Sequence, residues 1–453
     1  MTETQAVAQA QLMGWGANAR TQCELVEPEV PAELLSRLRR REPLIARGLG
    51  RSYGDPAQNS GGLVVGMRRF DRYLSFDEAS ATLTCEAGVS LEQIIRDFVP
   101  RGFFPLITPG TKFVTIGGCI ANDVHGKAHH AQGSFSACVA SMRVLLASGD
   151  VVTCSRSELP DLFWGSFGGM GLLGIVLSAT LRLRAIETVY FKQHCVEVDD
   201  LAGMLSAIDA SASLDPYSVA SLDVYATGSQ LGRGVFNAGD HARLNELPPD
   251  LAQQPLLVKP RAKLTVPFVL PEFTLNRLSM RLVNAFVMYS QKYKGPFAHY
   301  EDWFYPLDIA NHWNRAYGRR GFTQYQFVVP FKDALAHLQR ILQAIVSAGE
   351  LPFLNILKSF GAASGGILSF PIEGYTFAID LPIRQNTMAL TRRLDAMVLE
   401  AGGRIYLGKD SFVEATTFRA MYPRVTEWLA VKAKYDPDTV FVSDLARRVG
   451  LVR

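Results

Sequence analysis

Short apolar runs separated by glycine-rich turns occupy the chain from about residue 42 to residue 190 and predict a strand-rich unit. Four of these runs have the length and composition of β-strands: residues 63–65, 81–85, 139–147 and 175–183. Between them, residues 91–99 predict a helix with Ser90 as its N-cap.

A different pattern begins near residue 190 and continues to about residue 405, which indicates a separate α+β unit. Residues 324–329 alternate polar and apolar side chains, as a half-buried strand does. An apolar stripe at helical spacing runs from Leu335 to Ile345 and is followed by Gly349. Residues 375–381 predict a further strand, and the chain returns to helix over about residues 414–434.

One stretch, residues 264–304, breaks the pattern because apolar and basic side chains are mixed along it. Its members include Val266, Phe268, Leu270, Phe273, Leu278, Phe286, Met288, Tyr289 and Tyr293, with Arg277, Arg281, Lys292 and Lys294 between or beside them. The simpler interpretation is a core helix followed by a loop. The alternative is a mobile cover that meets a lipid or membrane surface.

The composition is that of a globular protein. The 453 residues are 48% apolar and 20% charged, enough for two or three core-bearing units. The net charge of +3 gives no overall argument for a nucleic-acid partner, but a local basic patch for an anionic substrate stays open. We expect neither a conventional signal peptide nor a membrane-spanning helix.

The six cysteines form no Cys-x-x-Cys pair, and a chain of this length does not need disulfides. We therefore expect reduced, mostly buried thiols. No spacing of cysteine and histidine predicts a metal site.

Two glycine-rich segments carry the candidate chemistry of the first unit. The first is residues 48–55, and the second leads from residues 109–111 into residues 115–118. Glycine lets backbone N–H groups approach phosphate oxygens without a Cβ in the way, and serine and threonine hydroxyls in both segments add donors. The two segments together predict a nucleotide site.

A third segment, residues 169–174, fits the pattern G-x-G-x-x-G but has the wrong setting for a Rossmann fingerprint. That fingerprint follows a strand and opens a helix. Here a helical stretch, residues 159–167, comes before it and a strand comes after. A Rossmann NAD-binding domain is therefore rejected.

Three histidines and a lysine lie within six residues, from His125 to His130. A metal site would need a further ligand at a sensible spacing, and the sequence offers none. The remaining interpretations are a polar loop with structural histidines and, preferably, a loop that faces an anion or a flavin.

Several of these segments together resemble the vanillyl-alcohol-oxidase-type FAD-linked oxidases: residues 50–55, 109–111, 115–118 and 123–127. Within that superfamily the chain is similar to the decaprenylphosphoryl-β-D-ribose 2-oxidases. The similarity continues over nearly the whole chain, in residues 304–308, 313–318, 324–327, 353–355, 358, 369–372, 409–411 and 421–425.

The resemblance implies an α+β protein with the two-domain FAD-binding fold of the vanillyl-alcohol-oxidase or PCMH type. Residues 1–187 and 404–453 would form the FAD-binding domain. Residues 188–403 would form an inserted substrate-binding domain with an antiparallel sheet. The inferred boundary agrees with the change of pattern near residue 190.

The resemblance also assigns the cofactor contacts. The residues expected to bind FAD are Ala46, Arg47, Gly48, Leu49, Gly50, Arg51, Ser52, Tyr53, Gly54, Asp55, Pro56, Gly110, Thr115, Ile116, Gly117, Gly118, Asn122, Asp123, Val124, His125, Ile175 and Tyr406. Relatives with covalent flavin place a histidine near the position of Arg51. Because arginine cannot form that bond, we expect dissociable FAD.

The implied reaction oxidises a secondary alcohol to a ketone while FAD takes the hydride. Lys409, His125 and Tyr305 are the predicted catalytic residues, with Lys409 stabilising negative charge on the reduced ring. The predicted substrate contacts are Lys127, Tyr305, Gln324, Gln326, Lys358 and Lys409. The identity of the general base stays open.

Three positions depart from the family pattern near the substrate. Ala378 stands where a cysteine is common, Thr376 where an asparagine is usual, and a tryptophan is replaced near Asp223. These departures leave the FAD prediction untouched and bear on the exact substrate.

The resemblance implies oxidation of decaprenylphosphoryl-β-D-ribose to its 2-keto form, the first half of epimerisation to the arabinose donor for cell-wall polysaccharide. A separate short-chain NAD(P)H reductase would complete it. The alternatives are an FAD oxidase of another sugar or polyol in envelope glycolipid synthesis and a non-catalytic FAD-binding scaffold. The expected location is the cytoplasm or the inner-membrane surface with peripheral membrane contact, and the periplasmic side stays open.

Overall fold

The computed structural model describes residues 8–258, 264–292, 295–350, 352 and 354–452. Of the residues singled out above, Tyr293, Lys294 and Phe353 lie outside these ranges. The described strands form one large sheet, two smaller sheets and a two-stranded ribbon.

The first part of the chain forms the two smaller sheets. Its strands are β1 (Ala8–Met13), β2 (Arg20–Val26), β3 (Leu44–Arg47), β4 (Leu63–Gly66), β5 (Tyr73–Asp77), β6 (Thr82–Glu86), β7 (Phe103–Pro105), β8 (Val139–Leu145), β9 (Val151–Ser155) and β10 (Ile175–Ala185). Its helices are α1 (Pro31–Leu38), α2 (Leu91–Phe98), α3 (Ile116–Ala121), α4 (His129–Gln132) and α5 (Pro160–Ser166). The sheet orders are β1-β2-β4-β3 and β5-β6-β10-β8-β9, with β7 beside β10.

The predicted strands of this part are confirmed as β4, β6, β8 and β10. Helix α2 begins after Ser90, which forms the predicted cap: its hydroxyl accepts from the Gln93 backbone N–H, and the Gln93 side chain accepts from the Ser90 backbone. Residues 169–174 lie between α5 and β10 and open no helix. The rejection of a Rossmann fingerprint at this segment is therefore confirmed.

The middle of the chain builds the large sheet and the ribbon. Its strands are β11 (Tyr190–Val198), β12 (Tyr217–Leu222), β13 (Gly234–His241), β14 (Leu264–Thr265), β15 (Phe297–His299), β16 (Ala310–Asn311), β17 (Phe322–Val329), β18 (Asn355–Phe360), β19 (Gly374–Pro382) and β20 (Arg404–Ile405). Its helices are α6 (Leu201–Ser211), α7 (Pro249–Ala252), α8 (Arg277–Lys292), α9 (Tyr300–Phe304), α10 (Ala334–Ser347) and α11 (Thr387–Glu400). The sheet order is β15-β11-β13-β12-β18-β19-β17-β20, with antiparallel neighbours throughout.

Strand β17 is buried along its whole length, although its alternating sequence predicts one exposed face. Tyr325 points to the helical side, where its hydroxyl donates to Asp395 of α11 at 2.7 Å. Gln324 and Gln326 point to the other side, into a cavity rather than into bulk solvent. The polar face of this strand is therefore an internal surface. On α10, Leu338, Leu342 and Ile345 pack inward as predicted, whereas Leu335 stays on the surface.

The C-terminal part forms α12 (Ala415–Met421), α13 (Val425–Tyr435) and α14 (Asp444–Arg448). The predicted return to helix over about residues 414–434 is confirmed, but as two helices, because the chain leaves the helical conformation at Tyr422. That residue precedes Pro423, whose ring disfavours helical geometry in the residue before it. The chain end then returns to the first sheet, where Phe441 forms a parallel bridge with Leu44.

Helix α8 is not a core helix, so the simpler interpretation of residues 264–304 is wrong. Met280 is its one buried residue. Leu278, Leu282, Phe286 and Tyr289 are 70%, 64%, 70% and 63% exposed. Their spacing of four, four and three residues places them along one side of the helix. We call these four residues the exposed stripe.

Candidate active site

The loop of residues 48–55 leaves strand β3 and is shaped by Arg47 beneath it. Gly50 has a φ of +62°, and a Cβ there would lie 2.3 Å from Nη2 of Arg47. The Arg47 guanidinium also donates to the carbonyl oxygens of Ala57 and Met13 at 3.0 and 2.7 Å. The result is a fixed turn in which the glycines place no side chain of their own over the backbone.

Thr115 joins this loop to the second glycine-rich segment. Its hydroxyl caps α3 by accepting from the Gly118 backbone N–H at 3.2 Å. A Cβ at Gly48 would lie 2.2 Å from the same oxygen, so the two segments touch only because residue 48 is glycine. At the end of α3, the Asn122 side chain donates to the Gly118 carbonyl at 2.9 Å, and its Oδ1 is buried without a partner among the described residues.

A cavity of about 460 Å³, a volume typical of ligand sites, extends from these loops to the large sheet. The predicted residues that line it are Ala46, Arg47, Gly48, Leu49, Gly50, Arg51, Ser52, Tyr53, Pro56, Gly110, Thr115, Gly117, Gly118, Asn122, Val124, His125, Lys127, Gln324, Gln326, Lys358, Tyr406 and Lys409. The fold therefore brings residues from the first part, the middle and the C-terminal part of the chain to one site.

Other predicted residues lie behind the cavity wall: Gly54, Asp55, Ile116, Asp123, Ile175 and Tyr305. The side chains of Ile116 and Ile175 are core residues, 0% and 1% exposed. Gly174 and Val176, on either side of Ile175, line the cavity instead. Neighbouring residues of a strand point to opposite sides of the sheet. Because Val176 faces the cavity, the Ile175 side chain points away from it.

Gly54 and Asp55 hold the loop against the C-terminal part and do not reach the cavity. A Cβ on Gly54 would lie 2.1 Å from the Asp410 carbonyl oxygen. Asp55 accepts two hydrogen bonds from Arg448, at 3.0 and 2.8 Å, and Arg448 also donates to the Asp410 carboxylate at 2.8 Å. Both residues therefore position the loop.

Asp123 and Tyr305 also act from the layer behind the wall. The buried Asp123 carboxylate accepts from the hydroxyls of Ser134 and Ser364 at 2.7 and 2.8 Å, which fixes the start of the histidine-rich loop. Tyr305 is 1% exposed, and its phenol is hydrogen-bonded to the Thr108 hydroxyl at 2.6 Å. Thr108 lines the cavity, so Tyr305 reaches it through Thr108.

Three adjacent strands supply the polar floor of the cavity. Strand β17 contributes Gln324 and Gln326, β19 contributes Ala378, and β18 contributes Lys358. Ala378 stands directly opposite Gln326 in the sheet register. Its small side chain leaves room on the floor between the glutamines and Lys358.

Lys409 enters the floor from the C-terminal segment, and its ammonium group donates to Oε1 of Gln324. The Gln324 amide nitrogen donates to the Asp380 carboxylate at 2.5 Å, and the Tyr317 hydroxyl donates to the other oxygen at 3.0 Å. Burial lowers the pKa of Lys409 and raises the pKa of Asp380, while their mutual attraction opposes both shifts. Lys409 is thus a half-buried cation that is fixed by an amide and a nearby carboxylate.

Lys358 adds a second cation to the same floor. Burial, with a smaller contribution from the Lys409 charge, lowers the pKa of Lys358 to about 7. Two neighbouring, partly desolvated ammonium groups favour an anionic ligand, because an anion between them offsets both their desolvation and their repulsion.

The hydrogen bonds around Gln326 define the tautomer of His125. The Thr376 hydroxyl donates to the Phe327 carbonyl at 2.8 Å, so it accepts from the Gln326 amide nitrogen at 3.1 Å. The same nitrogen lies 2.9 Å from Nε2 of His125 and donates to it, which places the imidazole hydrogen on Nδ1. Burial and two nearby lysine charges hold the pKa of His125 well below its usual value. His125 is therefore neutral.

Arg51 and Lys127 both line the cavity. The Arg51 guanidinium lies 4.4 Å from the Trp15 ring centroid, and its Nη1 donates to the Leu49 carbonyl at 2.7 Å. The Lys127 ammonium donates to the Trp303 carbonyl and lies 4.9 Å from that indole ring. Both cations are anchored on aromatic surfaces.

Sequence reasoning missed Trp15, Ser221, Asn237 and Asp380. Ser221 and Asn237 line the cavity from β12 and β13, and both amide atoms of Asn237 are buried without a partner among the described residues. No local motif marks these residues. Their place depends on the order of strands in the large sheet.

All six cysteines are free thiols and five are buried, which confirms that expectation. In the described ranges, no cluster of histidine, cysteine, aspartate or glutamate side chains is arranged to hold a metal ion. The described helices include none with the length and hydropathy needed to span a bilayer.

The walls of the cavity fit the parts of an FAD molecule. Backbone N–H groups in the glycine turn of residues 48–52, which lines the cavity, suit a pyrophosphate. In the second turn, the N–H groups of Ile116 and Gly117 donate instead to the carbonyl oxygens of Val89 and Ala87. The unpartnered Oδ1 of Asn122 suits a ligand N–H donor. Tyr406, whose hydroxyl donates to the Asn122 carbonyl at 3.2 Å, offers an aromatic surface for a flat ring beside Lys409. FAD would therefore be held between the loops, with its ring toward the polar floor.

Comparison with known proteins agrees with this fit. Residues 25–155 match a family model described as FAD binding domain, and residues 376–449 match one described as D-arabinono-1,4-lactone oxidase. The chain is 40% identical to decaprenylphosphoryl-β-D-ribose oxidase of Mycolicibacterium smegmatis, over 97% of each chain. It is 32% identical to an uncharacterized protein of Streptomyces coelicolor, over 80% of this chain and 100% of that protein.

A more distant relative extends the set. The chain is 23% identical to L-gulono-1,4-lactone dehydrogenase of Mycobacterium tuberculosis, over 94% of this chain and 95% of that protein. The chain therefore belongs to the family of vanillyl-alcohol-oxidase-type FAD-linked oxidases that includes decaprenylphosphoryl-β-D-ribose oxidase, and it is an FAD-dependent oxidoreductase.

Proposed function

We propose that this protein oxidises the 2-hydroxyl group of a polyprenyl-phosphate pentose, converting decaprenylphosphoryl-β-D-ribose to its 2-keto form. This reaction is the first half of epimerisation to the arabinose donor for cell-wall polysaccharide. The observation that carries the proposal is the pair of half-buried lysines, Lys358 and Lys409, on the floor of a cavity that also fits FAD. The name of the Mycolicibacterium relative supports the same substrate.

A phosphorylated sugar accounts for the polar groups of the floor. Lys358 and Lys127 would bind the phosphate, because both ammonium groups reach the cavity wall. Gln324 and Gln326 would hydrogen-bond sugar hydroxyls. The space beside Ala378 would admit the ring of the sugar.

When bound, FAD supplies the two-electron oxidation by accepting a hydride from the carbon that carries the hydroxyl. Lys409 would place a fixed positive charge where negative charge develops during that transfer. Gln324 and Asp380 hold the ammonium group in position. Lys409 is therefore the residue on which turnover depends most.

His125 would assist from the cavity wall and Tyr305 from behind it. The neutral His125 ring has its Nε2 engaged by Gln326, so it would donate from Nδ1 to a substrate oxygen rather than take a proton. Tyr305 would be a positioning residue that orients the Thr108 hydroxyl. The proton of the substrate hydroxyl then needs an acceptor other than His125. Because the pKa of Lys358 is about 7, the pH dependence of turnover shows whether this lysine binds the phosphate or accepts that proton.

We predict that kcat/KM for the phosphorylated substrate falls as the pH rises through about 7, the pKa of Lys358 in the free enzyme. The lysine is charged below that pH and binds phosphate; above it the charge is lost. Steady-state kinetics between pH 5.5 and 9, at about constant ionic strength, measure this profile. Lys358→Met is expected to raise KM and to remove the fall near pH 7, leaving the fall near the Lys409 pKa of about 8.

The opposite profile would contradict the phosphate role. If kcat/KM rose through the same pH and Lys358→Met removed the rise, Lys358 would be the general base instead. An exposed-lysine variant, Lys332→Met, serves as the control and is expected to keep the wild-type profile.

We also propose that FAD is held without a covalent bond. The Arg51 guanidinium is occupied by the Leu49 carbonyl and the Trp15 ring and has no nucleophilic nitrogen to offer. Precipitation with trichloroacetic acid is expected to leave all the yellow colour in the supernatant. A yellow pellet would contradict this prediction.

The family departures also have structural consequences. The Thr376 hydroxyl accepts a hydrogen bond from the Gln326 side chain, and the Asp223 carboxylate forms an ion pair with Arg233 at 2.7 Å. Because Ala378 offers no thiol, inhibitors that form adducts with a cysteine at that position are expected to lack covalent action here.

A ketone product implies a reduction to complete the epimerisation, and we propose that a separate short-chain NAD(P)H reductase carries it out. A polyprenyl substrate also implies peripheral contact with the inner membrane. We propose the cytoplasmic surface as the working location, and labelling of intact cells with an impermeant probe would test the periplasmic alternative. No nucleic-acid partner is proposed.

The alternative function is oxidation of another sugar or polyol in envelope glycolipid synthesis, favoured by the match of residues 376–449 to the D-arabinono-1,4-lactone oxidase model. Steady-state turnover of polyprenyl-phosphate ribose, polyprenyl-phosphate arabinose, free polyols and aldonolactones separates the two. We expect the phosphorylated ribose to have the highest kcat/KM and to yield a product two hydrogens lighter. A preference for free polyols or lactones would favour the alternative.

A further inference from the structure

The exposed stripe of α8 lies within a larger apolar surface beside the cavity. Leu264, Phe268 and Phe273, which precede the helix, are 69%, 62% and 78% exposed. Strand β14 pairs with β16, whose residues line the cavity, and Gln291 near the end of α8 lines it too. This surface therefore adjoins the cavity rather than lying on a remote face.

The charge of the same segment favours one kind of partner. Residues 273–292 contain Arg277, Arg281 and Lys292 but no aspartate or glutamate, and Lys292 is paired with Glu197 of β11 at 2.5 Å. Arg277 and Arg281 each directly precede a residue of the exposed stripe, so they lie along its flank. Apolar side chains flanked by basic ones match a bilayer surface with anionic headgroups. A second copy of the chain would bring like charges together.

Polar contacts on the other side of α8 fix its orientation. The Asn284 side chain donates to the Asp223 carboxylate at 2.9 Å, and Asp223 is held by Arg233. Near the helix end, the Cys195 thiol lies 3.4 Å from the Gln291 carbonyl. The helix thus turns Met280 and Asn284 toward the protein and its stripe outward, so that it exposes apolar side chains where an ordinary surface helix exposes polar ones.

We propose that α8 is an interfacial helix that docks this protein on an anionic bilayer, with the exposed stripe in the acyl region and Arg277 and Arg281 at the headgroups. The proposal deepens the proposed function, on which it rests for the lipid substrate. Docking here places the cavity mouth at the membrane surface, so that a polyprenyl tail stays in the bilayer while its sugar phosphate enters.

The test is cosedimentation of the FAD-loaded protein with vesicles of phosphatidylglycerol and phosphatidylcholine in equal parts, without substrate. The double variant Leu282→Asp/Phe286→Asp is expected to lose vesicle affinity by about tenfold or more, because two apolar anchors are replaced by charges that the surface repels. The matched control Leu214→Asp/Leu244→Asp changes two exposed leucines elsewhere, 79% and 45% exposed, and is expected to bind normally.

A second pair of measurements separates docking from folding and from charge alone. Arg277→Gln/Arg281→Gln is expected to weaken binding to these vesicles but to leave FAD content unchanged. The stripe variant is expected to keep wild-type FAD content and turnover of a water-soluble, short-chain polyprenyl-phosphate pentose.

Three results would overturn the proposal. The wild-type protein could fail to bind the vesicles, or the stripe variant could bind them as tightly as wild type. Mutation of the stripe could also dissociate a dimer without changing vesicle binding. Because vesicle binding is measured without substrate, failure of the proposed function would appear separately, as lack of turnover by protein that still binds vesicles.

Discussion

Lys409→Ala is expected to lower the rate of substrate-driven flavin reduction by about three orders of magnitude, the scale on which loss of a preorganised charge acts in a buried site. The Lys409 ammonium is held by Gln324, and Asp380 lies on the far side of that amide. Water cannot replace a charge fixed in this way. Anaerobic stopped-flow reduction of FAD-loaded variant measures the effect separately from cofactor binding.

The control for this experiment is Lys332→Ala, which removes an exposed lysine and is expected to keep the wild-type rate. Asp380→Asn provides a second comparison, since asparagine keeps the shape of the side chain that accepts from Gln324 but removes its negative charge. We expect an intermediate rate for it. Wild-type reduction by Lys409→Ala that retains full FAD would refute the role of the lysine.

Gly54→Ala is expected to lower both thermal stability and FAD content. The new Cβ would lie 2.1 Å from the Asp410 carbonyl oxygen, and both atoms belong to segments that carry cavity residues. The Tyr53 backbone N–H also donates to the Gly408 carbonyl at 3.2 Å, so separating the segments loses that bond too. Overpacking of this kind costs about 1–3 kcal/mol, a measurable shift in unfolding midpoint.

Gly295→Ala is the matched control, because a Cβ at Gly295 meets nothing within 4 Å. It is expected to unfold within experimental error of wild type and to retain FAD. Equal stability of the two variants would mean that residues 48–55 and 408–411 are not packed as described.

The sequence predicted the parts of the site whose chemistry is local. Glycine turns and the Ser90 cap are encoded within a few neighbouring residues, so the glycine-rich loop of residues 48–55 and helix α2 could be recognised. The resemblance added Gln324, Lys358 and Lys409, which lie far apart in the chain and meet only in the folded protein.

What the sequence could not predict depends on tertiary contacts. Asp55 and Asp123 look like ligand-binding residues beside glycines, but their carboxylates are used by Arg448 and by serine hydroxyls from distant segments. The sequence left the exposure of α8 open between a core helix and a lipid-facing cover, because an apolar stripe has the same sequence whether it faces a core or a lipid. Only the position of the polar contacts, such as that of Asn284 with Asp223, distinguishes the two.

The most direct test of the central claim is anaerobic mixing of the FAD-loaded protein with decaprenylphosphoryl-β-D-ribose, followed by the visible flavin absorbance. We predict complete bleaching in a single turnover, with one equivalent of the 2-keto product, and no comparable bleaching by free ribose or by an aldonolactone. Flavin that stays oxidised with the lipid-linked sugar, yet is bleached by a free polyol or lactone, would contradict the account.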